Sequence, residues 1–127
     1  MMIDTSKMDL EFIRPDNNAR RTCPMISVGH NRFEMNKELG SELNLSKSHR
    51  FVEVSNGEYE NRFVVLFRFL KERTANSYNA IQKDSGRIMI SNKTLTTTLF
   101  GTKASGSMQR LDDLEIDSEN KLILLRI

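Results

Sequence analysis

Apolar positions along this chain recur mostly at alternate residues, and at two places the spacing changes to about four. Residues 25–35, MISVGHNRFEM, alternate in two pieces around Gly29-His30-Asn31, which predicts strand, turn or bulge, then strand. From Asn36 the period lengthens. Leu39 and Leu43 stand four apart with Lys37, Glu38, Ser41 and Glu42 between them, one apolar stripe of a short amphipathic helix. Asn36 is placed to cap it, since its side-chain oxygen can accept from the first free backbone amides. NLSKSH then ends the helix in polar turn residues. RFVEV reads as a strand, SNGEYEN as a loop turning at Asn56-Gly57, and RFVVLFRFL as a strongly apolar strand, central or covered on both faces.

The same order then returns. Residues 71–86, KERTANSYNAIQKDSG, are polar and read as a connector with one or two helical turns. RIMIS follows as a strand, Asn92 as a cap, Leu95 and Leu99 as a helix stripe, and GTKASGS as a Gly/Ser loop. RLDDLEI is a strand, DSEN a turn, and KLILLRI a buried strand. Asn36, Lys37, Leu39 and Leu43 match Asn92, Lys93, Leu95 and Leu99 at one offset, 92 − 36 = 56. A strand–helix–strand–strand unit of about 40 residues cannot bury its own apolar face, but two copies can bury theirs against each other.

The expected fold is therefore α+β and strand-dominated, with two pseudo-repeats of strand, short helix, strand, strand packed as one barrel-like core. The chain reads as a single domain over residues 1–127. Within it, residues 1–24 form an N-terminal arm, 25–70 the first repeat, 71–85 the connector and 86–127 the second repeat. In the arm, MDLEFI suggests a short strand around Leu10 and Phe12, and RPDNNARR a loop shaped by Pro15.

Composition removes several classes of function. No apolar run approaches the roughly 20 residues of a membrane helix, and the acid-bearing start MMIDTSKMDLEF lacks a signal-peptide layout, so a cytoplasmic location is expected. Cys23 is the one cysteine and there is no Cys/His cluster for zinc. The acidic run Asp112, Asp113, Glu115, Asp117 and Glu119 lacks the spacing, central glycine and closing Glu of a calcium loop. No nucleophile elbow, zinc-protease motif, dinucleotide fingerprint or phosphate-binding loop occurs. The reading is accordingly no enzyme, no catalytic set, no metal and no cofactor. His30 falls in an exposed turn, and His49 joins Lys47 and Arg50 in a small basic cluster when protonated. Phe51, Phe63, Phe67 and Phe69 sit among Val and Leu, which assigns them to a core over a base-stacking platform.

Net charge is only +2, but residues 85–111 carry Arg87, Lys93, Lys103 and Arg110 with no acid, in a segment rich in Ser, Thr and Asn. Those residue types contact phosphates.

Residues 25–70, with strand, MNKELGSELNLSKSHRFVEV and a second hairpin, resemble the swapped-hairpin module of AbrB-like transition-state regulators and antitoxins; residues 86–127 resemble it more weakly. That module has a short helix ending in Leu-Gly-Leu, a Lys-Pro-Gly-Asp-like turn and a Val-rich strand. Here Asn44 stands at the glycine of the helix stop, SKSH replaces Lys-Pro-Gly-Asp, and FGTKASGSMQ fits the second turn loosely. The resemblance implies an intertwined barrel, built by two chains or by tandem copies in one, with basic side chains of the first hairpin on DNA.

On that basis the chain is expected to be a small DNA-binding transcriptional regulator. Arg20, Arg21, Arg32, Lys37, Arg87 and Lys93 would neutralise phosphates of double-stranded DNA on one face, with Asn31 and Asn92 as polar contacts. The chain would be a monomer with internal pseudo-symmetry or a homodimer. The alternative is a non-catalytic protein–protein adaptor or structural protein of a phage or mobile element. It follows from the near-neutral charge of residues 25–70 and would use the Phe-rich strand or the N-terminal arm as its surface.

Overall fold

The structure is a computed structural model that describes Ile3, Asp4, Ser6, residues 8–10 and residues 23–127. Arg20, Arg21 and residues 11–13 of the strand expected around Leu10 and Phe12 lie outside the described residues, and residues 8–10 form no strand. The chain order is β1 (Ile26–Gly29), β2 (Arg32–Met35), α1 (Lys37–Leu43), β3 (Phe51–Tyr59), β4 (Arg62–Leu70), β5 (Ser77–Asn79), β6 (Ile81–Gln82), β7 (Ile88–Ser91), α2 (Lys93–Phe100), β8 (Gln109–Leu111), β9 (Leu114–Asp117) and β10 (Leu122–Arg126). A 3-10 turn over Gly101–Ser105 follows α2. Two five-stranded sheets result, ordered β6-β7-β2-β1-β8 and β5-β3-β4-β10-β9. The α+β class holds, with strands dominant. The barrel-like core, however, is not closed: among the described residues each sheet keeps two unpaired edges.

Local chemistry accounts for the elements. His30 and Asn31 both take positive φ (50° and 61°), the geometry a two-residue hairpin loop requires between twisted strands. Asn36 Oδ1 accepts from Leu39 N at 3.0 Å and Asn92 Oδ1 from Leu95 N at 2.8 Å, so both expected caps form. Asn44 ends α1 in the left-handed region (φ 52°, ψ 50°), which Asn tolerates. Lys121 Nζ donates to the carbonyls of Leu43 and Asn44, placing a cation from the second repeat at that helix end.

The core lies between the inner faces of the two sheets. Phe33 of the first sheet meets Phe67 of the second edge-on, ring centroids 5.3 Å apart, and Phe100 from α2 meets Phe33 at 5.8 Å. Leu39, Leu43 and Leu95 close it from the helices. The repeats do not form one sheet each. β2 pairs antiparallel with β7 and β4 with β10, and β8 of the second repeat adds to β1 of the first.

Several sequence expectations are corrected. Asn56-Gly57 is not a turn: it lies inside β3, and the chain reverses at Glu60-Asn61, both at positive φ. Only that reversal sets Val52 opposite Phe69 and Val54 opposite Phe67, keeping the inward face apolar. The connector contains no helical turn. Its strands β5 and β6 pair with β3 and β7, occupying an edge of each sheet. RLDDLEI is two strands, because the chain leaves the first sheet at Asp112-Asp113 to enter the second. The Gly/Ser loop is partly the 3-10 turn, in which Ala104 is buried and the carbonyls of Ala104 and Gly106 accept from Asn31 N and His30 N. Phe67 and Phe69 are core residues as expected, but Phe51 is half-buried and Phe63 is exposed.

Candidate nucleic-acid interface

Of the four bases singled out in the sequence on or beside β2 and β7, the ladder pairs two on one carboxylate and sets the other two apart. Residues facing each other across an antiparallel pair share a side of the sheet. Glu34, opposite both Ser27 and Met89, therefore lies on the outer face with Arg32 two residues before it. Arg32 Nε bonds one Glu34 oxygen at 3.0 Å and Arg87 Nη2 bonds the other at 3.0 Å. One carboxylate thus holds both guanidiniums. Lys37 and Lys93 are the first residues of α1 and α2, which leave the antiparallel ladder at opposite ends, so those two cations are separated along it.

Of the two expected polar contacts, one is committed elsewhere and the other is partly buried. Asn92 is spent on its helix cap. Asn31 Oδ1 is buried without a hydrogen-bond partner, and its backbone is bound to Ala104 and Asn92.

A second basic surface carries unpaired charge. Where the chain passes from the edge of the second sheet to the edge of the first, a groove of about 740 Å³ opens. Lys47, Arg50, Arg73 and Lys83 surround it, with Asp84 the one carboxylate of its lining. Among the described residues none of these four bases takes part in an ion pair. The floor is apolar: Phe51, Ala80 and Ile81, with Ile81 47% exposed. The Arg73 guanidinium stands 5.6 Å from the Phe51 ring centroid, a cation–π arrangement that leaves its charge available.

The walls are tied together by the backbone. Ala80 N donates to Arg50 O at 2.8 Å, and Gln82 Nε2 donates to the carbonyls of Ser46 (2.8 Å) and His49 (3.0 Å). His49 anchors the loop from beneath and is not part of the surface cluster expected for it. It is only 8% exposed, and Nδ1 lies 3.1 Å from the Ser46 amide and 2.9 Å from the Ser46 hydroxyl. An amide can only donate, so that nitrogen is the acceptor of a neutral ring. Burial, then the charges of Lys71 and Lys121, hold the imidazole pKa below its ordinary value.

No protein-family model, curated protein or solved structure matches this chain. The groove must therefore be read from its own chemistry. Unpaired cations around an apolar floor suit an anion attached to a flat or apolar body. Among the described residues no group of three or more His, Cys, Asp or Glu side chains could hold a metal ion. No helix there is long and apolar enough to cross a membrane.

The sequence held a partial signal for this groove. SKSHRF places Lys47, Arg50 and Phe51 within five residues. Arg73 and Lys83 join them only because β5 pairs with the start of β3 and the next strand turns onto the other sheet.

Proposed function

We propose that this chain is a cytoplasmic DNA-binding transcriptional regulator of the AbrB-like kind that residues 25–70 resemble, and that it binds chiefly through phosphate contacts. The observation that carries the reading is the set of four bases around one groove with no carboxylate bonded to any of them. Phosphate neutralisation supplies most non-specific affinity for nucleic acid and makes it salt dependent. The test is fluorescence anisotropy of labelled duplex DNA at about 50 and 200 mM salt: four phosphate contacts lower affinity by about two orders of magnitude across that interval. No binding at the lower salt rejects duplex DNA as the ligand.

A second reading, the protein–protein adaptor or structural protein, is favoured by one different feature. On the outer face of the second sheet, Leu66 faces Leu124 across β4 and β10, with Leu122 two residues along. No other element of the described residues forms a layer over this apolar strip, and apolar surface open to water is a common mark of protein contact.

A further inference from the structure

The groove between the sheet edges has a floor as well as a rim, and the floor narrows what the rim can hold. We propose that it binds single-stranded nucleic acid, with phosphates on Lys47, Arg50 and Lys83 and an unstacked base against Phe51 and Ile81. This rests on the nucleic-acid reading above and specifies its ligand at this one site.

Three features carry the proposal. An intact duplex turns its phosphates outward and hides its base faces in the stack, so Phe51, Ala80 and Ile81 would meet nothing apolar. An unpaired base offers a face that stacks on an aromatic ring whatever its identity. The size agrees: 740 Å³ falls in the range of about 300–1,000 Å³ typical of small-ligand sites, which suits a nucleotide or two and not a double helix. Finally, β5 and β6 are the outermost strands of their sheets among the described residues, and an edge strand leaves backbone N–H and C=O groups unpaired on one side. Arg73 completes the arrangement, since a planar guanidinium stacks on rings as well as carrying charge.

The experiment uses the full chain and three labelled probes: a dT oligomer of about 12 nucleotides, a duplex of equal length, and dTMP alone. The oligomer is expected to bind at least about tenfold more tightly than the duplex, with affinity falling about 20-fold between about 50 and 200 mM salt for the three phosphate contacts. The Lys47→Gln/Lys83→Gln double variant changes two exposed side chains that make no ion pair, and should lower the logarithmic salt slope by about 1.4. Phe51→Leu keeps apolar volume but removes the ring, and should weaken oligomer binding by about 5- to 30-fold. A thermal melt of each variant confirms folding.

Duplex bound as tightly as the oligomer, or an oligomer affinity unchanged in the double variant, overturns the single-strand assignment while DNA binding stands. dTMP bound as tightly as the oligomer overturns it in favour of a free nucleotide. If neither DNA probe binds, the DNA reading falls together with the assignment.

Discussion

Phe67 on β4 faces Ile123 on β10, 123 − 67 = 56 residues later, the interval that separates Asn36 from Asn92. At the other cross-repeat ladder, Phe33 faces Ile90 while Glu34 faces Met89, so a two-fold axis at the same interval passes midway between those pairs. Phe67 is thus at the centre of the joint, with no exposed surface and the Phe33 ring edge-on against it. Phe67→Ala should cost about 3–5 kcal/mol, whereas Phe63→Ala, already 38% exposed, should cost under about 1 kcal/mol. Urea melts of both variants check this.

The two helix caps should differ in worth. Asn92 makes its cap bond alone, and Asn92→Ala should cost about 1 kcal/mol. Asn36 also accepts from Met25 N and donates to Cys23 O, tying the start of β1 to α1. Asn36→Ala should therefore cost about 2–3 kcal/mol. Equal losses in chemical denaturation would contradict the triple role of Asn36.

Two glycines should respond to alanine with opposite signs. Gly40→Ala would ordinarily favour a helix by about 1 kcal/mol, but here the new methyl collides with the Gly86 carbonyl oxygen, part of a backbone turn. The variant should be less stable, by about 1–3 kcal/mol. Gly57 lies inside β3 with open space at its side-chain position, so Gly57→Ala should raise stability by about 0.5–1 kcal/mol. Differential scanning calorimetry of the pair reads the signs directly.

Stability should fall in mildly acidic solution through His49. Burial, then Lys71 and Lys121, lower its pKa in the folded state, so the unfolded chain takes up a proton first. The contribution is present in full above about 6.5, the ordinary value, and is lost as pH falls from there through the lower folded pKa. A melting-temperature series from pH 8 to 5 should show this drop, and His49→Gln should flatten it.

Glu34 decides between the two basic surfaces. Glu34→Gln frees Arg32 and Arg87 from their shared carboxylate. With binding at the groove, oligonucleotide affinity should change by no more than about twofold. A tenfold gain would move the interface to the β2–β7 face.

What the sequence could show was whatever neighbours along the chain determine. The hairpin at His30-Asn31, the two Asn caps and the Leu39–Leu43 stripe each follow from residues within one turn of one another, and all are present. The Asn56-Gly57 turn was misread because Gly57 favours a turn locally, while the register is set by Phe67 and Phe69 far along β4. The connector strands were missed because the alternation in Ser77–Ala80 is only four residues long and breaks at Ile81; they form by pairing with β3 and β7. Of the candidate site, Lys47 and Arg50 were visible as neighbours. The pairing of Arg32 and Arg87 on Glu34 was not, because it joins residues on two repeats.

The interleaving of the repeats also governs how the chain reaches its native form. The hairpins β1–β2 and β3–β4 close short loops and form early, but β2 must find β7 across 53 to 59 residues (88 − 35 and 91 − 32). Neither sheet has its full set of strands until both halves have left the ribosome, because β7, β8, β9 and β10 complete sheets begun by the first repeat. Pairing at such separation is slow, on the order of milliseconds to seconds. Until it is complete, the apolar faces of β2 and β4 stay open to water and to other chains. The rate-limiting event is therefore the docking of one half on the other, and crowding by unfinished copies is the hazard this architecture carries.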